Sequence, residues 1–132
     1  MNIVDALEEI QDTLEADGLT VYTEIKDGRP LTLPCVILEL DVEKPTEHSS
    51  DGRIIDSLFN ISVMGLVNAH SQDWTTYKTA LVTHRGNILT ALTKCPTVRV
   101  KPVSLGYAEI LVGSQKSSSV DITAEVTFNE NI

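Results

Sequence analysis

Three histidines, two cysteines and one serine-bearing loop are the residues here whose types could do chemistry. His70, Asp73 and His84 could in principle hold a metal near one helix. However, His84 lies eleven residues beyond Asp73, about 16 Å along a helical axis, too far for one ion to bridge. No metal site is expected, and His48, His70 and His84 read as solvated surface histidines. His48-Ser49-Ser50-Asp51 gathers the residue types of a hydrolytic triad within four positions. Triad members normally come from separate elements that fix their geometry, so this segment reads as a solvated loop. Cys35 opens an apolar stretch and Cys95 precedes Pro96. Neither has a histidine near it in sequence, and a small, wholly or partly buried residue is the expectation for both.

Other motifs are weaker still. Asn60-Ile61-Ser62 matches a glycosylation sequon but falls in an expected strand of a chain that starts without a signal-like segment. There is no GxxxxGK[ST], GxGxxG or HExxH pattern. Glu8, Glu9 and Asp12 read as the wet face of a helix. Arg99, Lys101 and Lys116 read as isolated basic spots, solvated or pairing between subunits. No enzymatic activity and no cofactor are expected.

The elements that would position these residues are clearer than the chemistry. Ile3, Leu7, Ile10 and Leu14 recur at helical spacing, with Asn2 as N-cap, Asp5 in the first turn and Gly18 as a left-handed stop. Leu19–Ile25 reads as a strand, with Tyr22 on the face opposite Leu19 and Val21. Lys26–Pro30 is turn chemistry, and Pro34 keeps 31–33 extended. Cys35–Val42 is rich in β-formers, as in a central strand. Glu43–Arg53 contains no aliphatic residue and reads as a long exposed loop that orders on binding. Ile54–Val67 alternates as a strand, with Gly65 as a candidate bulge. Ser71 and Asp73 open a second helix whose stripe is Trp74, Tyr77, Leu81, Ile88 and Leu92, thickened by Ala80, Leu89 and Ala91. Three short strands follow: Thr97–Val103, Tyr107–Val112 and one beginning at Val120, with a polar loop over 113–118. The order α-β-β-β-α-β-β-β implies one α+β domain over residues 1–132, a mainly antiparallel sheet with two helices packed on one face.

Bulk properties narrow the function. At 132 residues and 42% hydrophobic the chain can build one real core, but with 5% aromatics it is poorly suited to base-stacking platforms. A net charge of −9 opposes a DNA-binding groove, which needs Lys and Arg against phosphates. No apolar run reaches membrane-spanning length, and reduced thiols in a cytoplasm are the expectation.

The order of features carries a resemblance. Gly18-Leu19 closes the first helix. The Val21-Tyr22 strand follows, then the Pro30…Leu33-Pro34-Cys35-Val36 approach to a central strand. After the polar loop come Phe59-Asn60-Ile61-Ser62-Val63, the Asp73-Trp74 helix start and Val120-Asp121-Ile122-Thr123. In this order, over nearly the whole chain, the sequence resembles the tail terminator (tail completion, gpU-like) proteins of long-tailed bacteriophages. The resemblance implies a homo-oligomeric ring, expected to be a hexamer, that caps the finished tail tube, ends its polymerisation and joins the head connector. It implies a place in the virion at the head-proximal end of the tail, after assembly in the host cytoplasm. Partners would be further copies of the chain, the tail tube protein and head–tail connector proteins. DNA would pass through the hole without sequence-specific binding, and no membrane would be involved. Six copies at −9 each would carry −54, a wall that does not trap DNA. Sheet edges and polar loops supply the expected ring contacts. The expected loop contacts are Lys26, Asp27 and Arg29; Glu43, Lys44, Glu47, Asp51 and Arg53; and Gln115 and Lys116. The alternatives are a head–tail joining (neck) or tail tube protein, separable by whether the protein stops at a ring, and a small α+β enzyme, which needs a concave pocket with convergent polar groups.

Overall fold

The computed structural model describes residues 2–23, 31–43, 47–48, 54–68, 74–112 and 115–129. Its elements are α1 (Ile3–Ala16), β1 (Val21–Tyr22), β2 (Cys35–Glu43), β3 (Glu47–His48), β4 (Ile54–Asn68), α2 (Trp74–Leu92), β5 (Arg99–Val112) and β6 (Gln115–Asn129). The fold is α+β. One six-stranded sheet has the order β1-β2-β4-β6-β5, with β3 pairing β4 beside the end of β2. Every pairing is antiparallel except β1 with β2.

The first helix is closed at both ends by local chemistry. The Asn2 side chain accepts from the Asp5 N–H at 2.9 Å, and Asp5 accepts from the Asn2 N–H at 3.1 Å, a reciprocal cap. Gly18 sits at φ +89, and Leu19 N–H returns to Leu14 C=O. Ala6, Ile10 and Leu14 are buried against the sheet, with Ile3 and Leu7 packed beside them.

Period-two alternation sends Val36 and Leu38, then Phe59, Ile61, Val63 and Val67, then Val120 through Phe128 at every second residue, to one face. Both helices contribute to that same cluster, α2 through Leu81, Ile88, Ala91 and Leu92. Phe59 and Phe128 meet edge to face at 5.9 Å. The opposite face carries a smaller cluster, Leu31, Cys35, Ile37 and Leu66 with Tyr22, Leu33 and Met64. The Thr32 N–H donates to the Tyr22 hydroxyl at 3.1 Å, which lays the 31–34 segment over that patch. The Leu33–Pro34 bond is cis.

Several expectations are corrected. The chain after α2 forms two long strands, not three short ones. Residues 99–112 run as one strand through a bulge between Pro102 and Ser104, and residues 115–118 of the expected 113–118 loop belong to β6, while 113–114 lie outside the described residues. Ser117, Ser118 and Ser119 are buried there, because their neighbours on β4 and β5 leave no room for solvent. The expected 43–53 loop contains β3, held to Asp56 and Ile54 of β4. Gly65 is in regular register with Val36 and Val120 and makes no bulge. It instead lets α2 approach: a Cβ there would stand 2.6 Å from Ile88 Cδ1. Ala80, expected in the α2 stripe, is exposed. The Ser71 cap and the side chains of Trp74 and Tyr77 lie outside the described residues.

Candidate functional site

His84 is the main departure from the sequence reading. It is not a surface residue: only 4% of it is exposed. It occupies the buried stripe of α2 one turn from Leu81 and from Ile88. Its Nε2–H donates to the Cys35 carbonyl at 2.7 Å, tying α2 to the start of β2. Burial pushes its pKa below the ordinary 6.5, against a smaller upward pull from that hydrogen bond. The spacing 81, 84, 88 could have placed it in the core, but polarity argued otherwise.

Cys35 supplies only its carbonyl to this contact. Its thiol packs in the second cluster, fully buried, and burial pushes it up to about 11. A thiolate nucleophile needs the opposite, a lowered pKa and access, so His84 and Cys35 form a structural tie and not a catalytic pair. Cys95 is half-buried with its thiol also raised, chiefly by burial. Among the described residues no group of His, Cys, Asp and Glu could hold a metal ion. No helix is long and apolar enough to cross a membrane among them. Glu9 is also more than a wet-face residue. Its carboxylate accepts from the Thr97 and Val98 N–H groups at 3.1 and 2.9 Å, and from the Thr97 hydroxyl, which fixes α1 against the start of β5.

The predicted loop contacts fall mostly outside this description. Lys26, Asp27, Arg29, Lys44, Asp51 and Arg53 lie outside the described residues. Glu43 ends β2 opposite Phe59, Glu47 pairs with Asp56, and Gln115 pairs with Val112. These three have described backbone only. Lys116 is exposed on β6.

What the fold does gather is at the two sides of the sheet. Among the described residues the exposed large apolar side chains are Val4, Leu40, Val82, Val103, Leu105 and Tyr107. Four belong to one side, where β5 is the last strand and pairs only with β6 among the described strands. Leu105 and Tyr107 point to the helix face, since they pair with the core residues Ile122 and Val120. Tyr107 borders a groove of about 510 Å³ with Leu81 and Val82 of α2 and the charged Lys78, Arg85 and Glu109. The Tyr107 hydroxyl accepts from Arg85, which stiffens its wall. The other two, Val4 and Leu40, lie on the opposite side. There β1 pairs only with Val36 and Ile37, so Leu38–Glu43 has no strand beyond it among the described residues. Val4, Leu7, Leu38 and Leu40 border a second groove of about 580 Å³ between α1 and β2. Among the described residues the exposed large apolar side chains thus lie at the two sides of the sheet.

No protein-family model matches the chain, and no curated protein is significantly similar to it.

Proposed function

We propose that this chain is a structural virion protein that caps a bacteriophage tail tube as a ring, expected to be hexameric, ending tube growth and presenting the surface for head–tail joining. The observation that carries the reading is the pair of sheet edges that no further described strand covers, near which the exposed large apolar side chains of the described residues lie. A ring subunit needs two different, non-equivalent contact surfaces, because head-to-tail contacts are what close a ring. The net charge of −9 suits a wall past which DNA slides, and the order of elements supports the tail-terminator resemblance. The His84–Cys35 contact, in which the thiol takes no part, speaks against a nucleophilic cysteine in the alternative of a small enzyme.

The test is tube growth. Purified protein added to polymerising tail-tube subunits should stop elongation, and negative-stain images should show one ring at one tube end. Tubes that lengthen unchanged with the protein present would refute the capping role. Open-ended tubes formed by the protein itself would make it a tube subunit.

A further inference from the structure

We infer that copies of this chain associate head to tail by extending one sheet, with β5 of one copy pairing antiparallel to the Leu38–Glu43 stretch of β2 in the next. The inference gives the contact surfaces of the ring proposed above and rests on that reading only for closure into a ring.

Three independent properties of the edges agree. The first is direction. Along the order β2-β4-β6-β5 every pairing is antiparallel, so β5 runs opposite to β2. A second copy set beside the first in the same orientation brings β2 against β5 as one more antiparallel pair, which continues the alternation without flipping the sheet. The second is facing. Leu105 and Tyr107 on β5, and Leu40 on β2 opposite Ile61, all lie on the helix-covered face. Tyr107 shares a groove with the exposed Val82 of α2, and Leu40 shares one with the exposed Val4 of α1. A sheet continued from copy to copy keeps its faces, so the two apolar sets meet and α2 of one copy abuts α1 of the next. An offset of one residue would turn one set to the wrong face.

The third property is charge. The β5 side carries Lys78 and Arg85 with one acidic residue, Glu109, on the helix face, and Arg99 and Lys101 on the other. The β2 side carries Glu8 on α1 and, on the strand, Glu39 and Asp41. Basic residues are outnumbered 10 to 19 in this chain, so four of them against the single Glu109 on one side is a concentration. It faces acidic residues when a second copy docks in this way, and like charges when two identical sides meet. The charge pattern therefore selects head-to-tail over two-fold association.

Two variants test it. Leu105→Asp with Lys101→Glu breaks the basic side. Leu40→Asp with Glu39→Gln breaks the apolar set of the acidic side and leaves the two altered sides both acidic, so they do not pair with each other. All four residues are exposed, and circular dichroism with thermal unfolding checks that both variants keep the fold. By analytical ultracentrifugation the unaltered chain should assemble. Each variant alone should associate at least about thirtyfold more weakly, the loss usual for a central contact. An equimolar mixture should form dimers and nothing larger, because each variant retains the side that the other lacks. Mixtures that stay monomeric, or either variant assembling as the unaltered chain does, would overturn the inference while leaving ring capping open. An unaltered chain that stays monomeric to millimolar concentration overturns the inference too. Complementation by a protein that does not arrest tube growth keeps the inference and removes the capping function.

Discussion

Gly65→Ala should destabilise the fold, although alanine normally improves a strand position. The added Cβ would stand 2.6 Å from Ile88 Cδ1, 3.0 Å from His84 Cδ2 and 3.1 Å from Val120 Cγ1. Comfortable carbon contacts lie at about 3.5–4.0 Å, so the nearest is short by about 1 Å. Ile88 and Val120 are fully buried, His84 is held by its bond to Cys35, and the three atoms come from two different elements around the site. The methyl group thus has no free direction. Overpacking of this kind costs about 1–3 kcal/mol, against about 0.4–1 kcal/mol gained by restricting the unfolded chain, for a net loss of about 1–2 kcal/mol. The assay is urea unfolding with an unchanged m-value, supported by a fall in Tm of about 4 °C per kcal/mol. Ile88→Val removes the nearest offending atom, Cδ1. Alone it should cost about 1 kcal/mol as a small cavity. Combined with Gly65→Ala it should cost less than the sum, with a coupling of about 1 kcal/mol. Gly65→Ala as stable as the parent, or a coupling near zero, would refute the close-approach reasoning.

The remaining expectations concern the groups that tie the elements together. His84 is neutral and buried, with a folded-state pKa below 6.5, so the unfolded chain binds more protons below that pH. Stability should therefore rise with pH up to about 6.5 and be lost as pH falls below it, by at most about 1.4 kcal/mol per pH unit from this residue. His84→Gln should flatten that slope in denaturation curves recorded between pH 5 and 7. Glu9→Ala removes an acceptor shared by two backbone N–H groups and should cost about 1–2 kcal/mol in urea unfolding. Cys35 should resist a thiol reagent at pH 8 until the chain unfolds, while Cys95 should react in the native state but more slowly than a free thiol.

The parts legible in the sequence were those governed by neighbours along the chain. Asn2 and Gly18 bound α1 because capping is a local matter of φ/ψ and a side chain three residues away. The alternation through Ile61 and Val63, and through Val120–Phe128, announced strands because a pleat repeats every two residues whatever it packs on. The α+β layering followed from that order of elements. Other positions were decided by partners far away in sequence. Serines are poor β-formers, yet Ser117–Ser119 are strand residues because β4 and β5 flank them and extend the ladder. His84 is polar by type, yet it is buried because the Cys35 carbonyl, 49 residues distant, satisfies it. Gly65 looked like a bend and is a contact point for α2, which only the tertiary packing brings there. The edge grooves belong to the same class. Alternation says which face a residue such as Leu105 or Leu40 occupies, but whether another strand covers it depends on the sheet order. Among the described strands that order places β5 last and leaves β2 half-covered by a two-residue β1. Periodicity along the chain thus determined the elements and their faces, while pairing between distant segments decided which edges were left open, because a hydrogen-bond ladder is satisfied across the chain and not along it.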